Sequence, residues 1–261
     1  MVSTRPPAVA GMFYPADRPL LHETVTSLLA GAHATGAAPK ALVAPHAGYV
    51  YSGAVAASAY ARLGGTRGVV TRVVLLGPAH RVWFEGLALP SHQAFATPLG
   101  SVPVDTAARA SLADLPQVRV LDAPHAQEHS LEVHLPFLQE ALGPFAVVPL
   151  VVGEASPAQV AEVIERLWGG PETLVVVSSD LSHYHDYATA RRLDAATTRA
   201  IEHLRFEDLD EGSACGRIPL SGLLLVARRH GLAVETLDVR NSGDTAGPRE
   251  SVVGYGAWAL H

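Results

Sequence analysis

Four short runs of valine and leucine limit what this chain can fold into: residues 40–44, 72–77, 145–152 and 173–178. None of them alternates cleanly between apolar and polar residues. A strand with one wet face alternates, so these read as strands covered on both faces, in a parallel or mixed sheet with helices packed on it. Segments of helical length and spacing occupy residues 20–29, 131–141, 157–168, 187–204 and 220–230. Ser156 followed by Pro157 is a helix start, and Gly231 after His230 is a stop. Later strands over 233–240 and 252–260, with hairpin-like pieces near 87–90 and 100–104, add antiparallel pairing. The expectation is one layered α/β domain over residues 1–261, with a central mixed, largely parallel sheet flanked by helices.

A chain of 261 residues, 48% hydrophobic and 17% charged, can bury a core without disulfides or structural metal. Its one cysteine suits a reducing cytoplasm. Lys and Arg total 19 against 25 Asp and Glu, a net charge of −6 with no basic run, which argues against a nucleic-acid partner. No apolar stretch approaches a membrane span, and none reads as a secretion signal. A small molecule is the expected partner.

The strand ends carry the chemistry. The first run continues as LVAPH to His46, the second as VVLLGPAH to His80, and the fourth as LVVVSSDLSH to Asp180 and His183. Ligand sites in open α/β sheets form beyond the C-terminal ends of the strands, so neighbouring parallel strands would bring these side chains into one crevice. Two neutral imidazoles begin a zinc, iron or copper site, and a third ligand is then needed. Cys215 lies in EGSACGRIPL, at the entry to a helix whose dipole favours a thiolate; metal ligand and nucleophile are both open to it. Glu211, four residues earlier, is a lower-ranked substitute carboxylate. In PHAQEHSLEVHLPF, His134 falls one residue late for the HxxEH pattern of inverted zinc proteases. Glu128, His129 and Glu132 can still share a helical face along the crevice.

Taken together, these segments resemble the Memo family, called AmmeMemoRadiSam system protein B in prokaryotes. The likeness runs through RPPAVAGMFYP at 5–15, APHAGYVYSG at 44–53, LGPAH at 76–80 and EHSLEVHLPF at 128–137. It continues through SSDLSHYHD at 178–186, CGRIPL at 215–220 and SVVGYGAW at 251–258. The resemblance implies a fold like the catalytic subunit of class III extradiol dioxygenases. It implies His46, His80 and Cys215 as ligands of a mononuclear non-haem metal, Fe(II) foremost and copper or zinc next. Cys215 stands where the dioxygenases carry a carboxylate. The resemblance gives His183 the acid/base position; Asp180 is expected to orient it or its turn, and His129, Glu132 and Tyr49 are expected to support the ligands or line the pocket. Redox or oxygen-dependent chemistry on a small substrate follows, as does an association with AMMECR-type and radical-SAM proteins. The alternatives are a metal-independent hydrolase using Cys215, His183 and Asp180, or a non-catalytic protein that binds a metal or peptide.

Overall fold

The computed structural model describes residues 3–33 and 35–261. The first half runs β1 (Thr4–Arg5), α1 (Arg18–Gly31), β2 (Ala41–Ala44), α2 (Tyr49–Tyr60), β3 (Arg72–Pro78), β4 (Leu87–Leu89), β5 (Ala94–Thr97), β6 (Gly100–Pro103), α3 (Thr106–Ala110) and β7 (Val118–Val120). The second runs α4 (Ala123–Ala126), α5 (Leu135–Leu142), β8 (Ala146–Val152), α6 (Pro157–Arg166), β9 (Thr173–Ser178), β10 (His183–His185), α7 (Tyr187–Glu202), α8 (Arg217–His230), β11 (Val234–Asn241) and β12 (Val252–Leu260).

The large sheet has the order β10-β12-β2-β9-β3-β8-β4-β7, with β11 also paired to β12. Its centre, β2-β9-β3-β8, is parallel. The strands β12 and β4 join antiparallel on either side, so the sheet is mixed. A small second sheet pairs β1, β5 and β6. Alternate residues of each central strand feed two separate cores. Val73, Leu75, Leu174 and Val176 belong to one, and Val74, Leu76, Val175 and Val177 to the other. Burial on both faces is why these strands carry apolar residues without alternation.

Local signals set several boundaries. Ser156 and Gln159 form a reciprocal capping box at the start of α6, and Asp17 and Asp186 cap α1 and α7. Gly231 ends α8 in the left-handed conformation (φ 67°) that costs glycine little.

Two features depart from the sequence pattern. The helix α2 was not expected from periodicity, because YVYSGAVAASAY is small or apolar nearly all round and leaves no polar stripe. It lies deep against α1, where a Cβ at Gly53 would sit 3.0 Å from a Leu28 methyl carbon. The expected helix over 131–141 breaks into a 3-10 turn, Glu132–His134, followed by α5, whose first turn contains Pro136. Residues 127–131 therefore do not extend a helical face.

Candidate metal centre

The strands β2, β9 and β3 are parallel neighbours, so the loops beyond Ala44, Ser178 and Pro78 leave the same edge of the sheet. His46, His80 and Cys215 meet there, with one ligand atom of each within 4.8 Å of the others. His46 is buried, and its Nδ1 lies 2.6 Å from Ser178 Oγ at the end of β9. The backbone N–H of His46 donates to Asp180 Oδ1 at 2.8 Å, and its Nε2 lies 3.3 Å from Cys215 Sγ. Glu128 grips His80 twice, accepting from its backbone N–H (2.6 Å) and facing its Nδ1 (2.9 Å). Each Nδ1 is thus engaged, which leaves Nε2 as the nitrogen that faces the cluster; hydrogen-bond partners on the other ring nitrogen orient metal-ligating imidazoles.

The electrostatics favour a neutral imidazole at His46. Burial, followed by the neighbouring histidines, holds His46 well below its ordinary pKa. Burial alone would raise the carboxyl of Glu128, but the hydrogen bonds from His80 and Ser130 outweigh it and bring it to about 2. Asp180 is raised to about 7 by burial, partly opposed by the His46 N–H. Cys215 corrects the expectation of a thiolate set by a helix dipole. It precedes α8, whose N-cap is Gly216, and burial together with the nearby Asp180 pushes its thiol up despite the Asp180 N–H directed at Sγ from 3.3 Å. A bound cation would reverse that balance, since a coordinating thiol is deprotonated. Two held imidazoles and one thiol fit a mononuclear transition metal.

A cavity of about 840 Å³ opens over this cluster, and His129, Asp180, His183, Arg81 and Tyr184 help to line it. His129 stacks on His80 with ring centroids 4.7 Å apart and its Nδ1 3.3 Å from Glu128 Oε1. His80, Glu128 and His129 form a second group of clustered donors, one that shares His80 with the first.

Several expected roles change. Asp180 does not orient His183, whose Nδ1 bonds to the Leu181 carbonyl at 2.8 Å. Instead Asp180 joins the His46 loop to Cys215, whose own N–H donates to the Asp180 carbonyl. The Cys215–His183–Asp180 triad of the hydrolase alternative is therefore not assembled: the imidazole beside the thiol belongs to His46. Tyr49 faces the core, donating to the Val133 carbonyl at 2.6 Å and packing on Phe137. The Glu211 side chain is 92% exposed and meets Arg217 at 3.5 Å, outside the ligand cluster.

Glu132 also points away from the pocket, because the 3-10 turn rotates it toward the N-terminal segment. It is fully buried and accepts from Arg5, from the N–H groups of Ala8 (2.7 Å) and Val9 (3.0 Å), and from Tyr14 Oη (2.6 Å). Arg5 donates further to the carbonyls of His125 (2.8 Å) and Glu128 (2.7 Å). The segment so anchored places the Phe13 ring against His129, and the Phe13 carbonyl accepts the Tyr49 N–H. Sequence reasoning assigned no task to Arg5 or Ser178, and only the motif RPPAVAGMFYP marked the first.

A family model described as Memo-like protein matches residues 5–259. The chain belongs to the Memo family. MEMO1 family proteins of Aquifex aeolicus and Ignicoccus hospitalis are 35% and 36% identical to it. The first alignment covers 96% of this chain and 97% of the relative, the second 97% of each. Among solved structures, the uncharacterized protein JW3007 from Escherichia coli K12 has the same fold at 15% identity. Its TM-score is 0.54, with 84% of this chain and 98% of that one covered. Among the described residues no helix is long and apolar enough to cross a membrane.

The buried histidines make stability depend on acid. Burial lowers His125 and His129 to about 4 and His134, bonded to Tyr60 Oη, to about 3. Below pH 6.5 the unfolded chain takes up protons that the folded chain refuses, so stability is full above that pH and falls toward pH 4. The raised Asp180 acts in the opposite sense, but it is one carboxyl against several imidazoles. Urea unfolding between pH 7.5 and 4.5 should show a loss on the order of 1 kcal/mol per histidine per pH unit. Constant stability across that range would contradict the buried, neutral assignment.

Proposed function

We propose that this Memo-family chain binds one transition metal ion through His46, His80 and Cys215, and that it carries out redox or oxygen-dependent chemistry on a small substrate. The observation that carries the reading is the convergence of three donor atoms within 4.8 Å, both imidazoles being held through Nδ1. Iron(II) is the first candidate, with copper and zinc next, because imidazole suits all three and thiolate shifts preference toward the softer ions. When bound, the ion would supply Lewis acidity and open coordination positions. The residues of the chain do the rest. Glu128 and Ser178 hold the imidazoles at Nδ1, and Asp180 ties the His46 loop to Cys215. His183 lines the cavity with its Nδ1 engaged by the Leu181 carbonyl, and in this reading it would move protons through Nε2.

Elemental analysis of protein purified without oxygen tests occupancy, and anaerobic titration tests the ligand set. In Cys215→Asp the soft sulfur gives way to a carboxylate, so Fe(II) binding should persist while Cu(I) affinity falls selectively. Bound metal should also shield the wild-type thiol from iodoacetamide. Equal Cu(I) affinity in both proteins, with labelling indifferent to metal, would remove Cys215 from the centre. Oxygen consumption by the loaded protein then separates an enzyme from a metal carrier.

A further inference from the structure

Tyr60, the last residue of α2, is wholly buried, and its Oη lies 2.7 Å from Nδ1 of His134, which is 1% exposed. Nε2 of the same imidazole completes no hydrogen bond of normal geometry, and the nearby Ser130 carbonyl supports a proton there. Nδ1 is thus the acceptor and the phenol is the donor. Burial raises Tyr60 well above the ordinary range of a phenol, so a bare phenolate is out of reach in this core. Its hydroxyl can lose an electron only if the proton leaves as well, and a neutral imidazole stands in place to take it. A core imidazole that is only half satisfied is a costly filler, and such groups mark redox or catalytic roles.

Tyr60 also ends a row of packed rings. It stacks on Phe137 with centroids 5.2 Å and planes 15° apart, Phe137 meets Tyr49 at 4.9 Å, and Tyr49 meets Tyr14 at 5.6 Å. Phe13, one residue before Tyr14, packs on His129 at 4.7 Å, and His129 stacks on His80 at 4.7 Å. Among the phenols of this row, Tyr49 donates to a peptide carbonyl, which takes no proton, and Tyr14 donates to Glu132, whose charge is committed to Arg5. Tyr60 alone of the three donates to a neutral base with no other task. At the far end of the row, Cys215 is the only cysteine of the chain. A sulfenic acid formed there would find no second thiol of the same molecule to condense with, and further oxidation is irreversible.

We propose that Tyr60 and His134 form a proton-coupled electron donor that reduces one-electron oxidants formed beside His80 and Cys215. One electron passes along the rings to a peroxide-derived oxidant, which is reduced. The Tyr60 O–H bond breaks, its proton forms a bond to His134 Nδ1, and Tyr60 is left as a neutral radical. A small thiol or ascorbate entering the cavity returns an electron along the same rings, and the imidazolium gives its proton back to the phenol. The inference rests on the metal-centre reading for the source of the oxidant, while the pair and its row of rings stand apart from that centre.

The first test supplies the oxidant by light and uses no metal. Ruthenium tris-bipyridine, flashed with a cobalt(III) ammine as electron acceptor, oxidises the metal-free protein, and the sample is frozen once radicals on the exposed Tyr51 and Tyr184 have decayed. Electron paramagnetic resonance should show a persistent tyrosyl signal in wild type. The signal should fall several-fold in Tyr60→Phe, which keeps the ring, and in His134→Gln, which keeps an acceptor but takes up no proton. No persistent signal in wild type, or one of equal size in either variant, overturns the pair. The second test loads wild type and Tyr60→Phe with Fe(II), adds hydrogen peroxide and reads Cys215 sulfinate and sulfonate by mass spectrometry. Irreversible oxidation of Cys215 should be several-fold greater in Tyr60→Phe, and equal oxidation overturns the link between the pair and the cavity. Damage indifferent to Fe(II) would count against the metal reading, and the flash experiment would still judge the pair.

Discussion

Glu132→Ala is expected to cost the fold about 3–5 kcal/mol, the range seen when one partner of a buried ion pair is removed. The Arg5 guanidinium would remain at 1% exposure without a counter-charge, and the Ala8 and Val9 N–H groups and the Tyr14 hydroxyl would lose their acceptor. Urea unfolding at pH 7.5 gives the number. The double variant Arg5→Met, Glu132→Leu should lose less than Glu132→Ala alone, because it removes both charges rather than stranding one. A loss below about 1 kcal/mol in the single variant would mean that the N-terminal segment is not anchored through this carboxylate.

Glu128→Gln should weaken metal binding by about 10- to 100-fold while leaving the chain folded, the usual effect of losing the group that orients an imidazole ligand. Glu128 accepts from the His80 N–H and faces its Nδ1, and it also accepts from the N–H groups of His129 and Ser130. An amide carries no charge and has one acceptor oxygen in place of two, so it cannot satisfy this set. Anaerobic titration with Fe(II), beside His80→Ala as the limiting case, measures the effect. An affinity equal to wild type would show that His80 is positioned by its own loop and not by Glu128.

The sheet and its histidines were legible because their signals are local. Doubly buried strands write themselves as unbroken valine and leucine, and β9 runs over the residues that this pattern marks, while β12 covers those expected of a later strand. Three histidines placed just past strand ends needed only parallel neighbours to converge. Roles that depend on direction were not legible. Asp180 and His183 are three residues apart and suggest a pair, yet the N–H that Asp180 Oδ1 accepts comes from His46, 134 positions away. Glu132 was placed along the crevice on the assumption of a continuous helix, and the 3-10 turn sends it to Arg5, 127 positions away. Tyr49 opens a helix that shows no amphipathic period, so no face could be assigned to it.

The proximity of Cys215 Sγ to His46 Nε2 spans 169 positions of chain. Two of the three clustered donors lie in the first third of the sequence, and the third follows in sequence after β9, the strand that lies between those that carry them. During synthesis the emerging polypeptide therefore offers an ion two imidazoles but no completed cage until translation has passed residue 215. Occupancy would then be a property of the finished molecule. An ion held across so wide a gap would also act as a late-closing clasp, adding RT ln(1 + [M]/Kd) to the folded state and nothing to a half-made one.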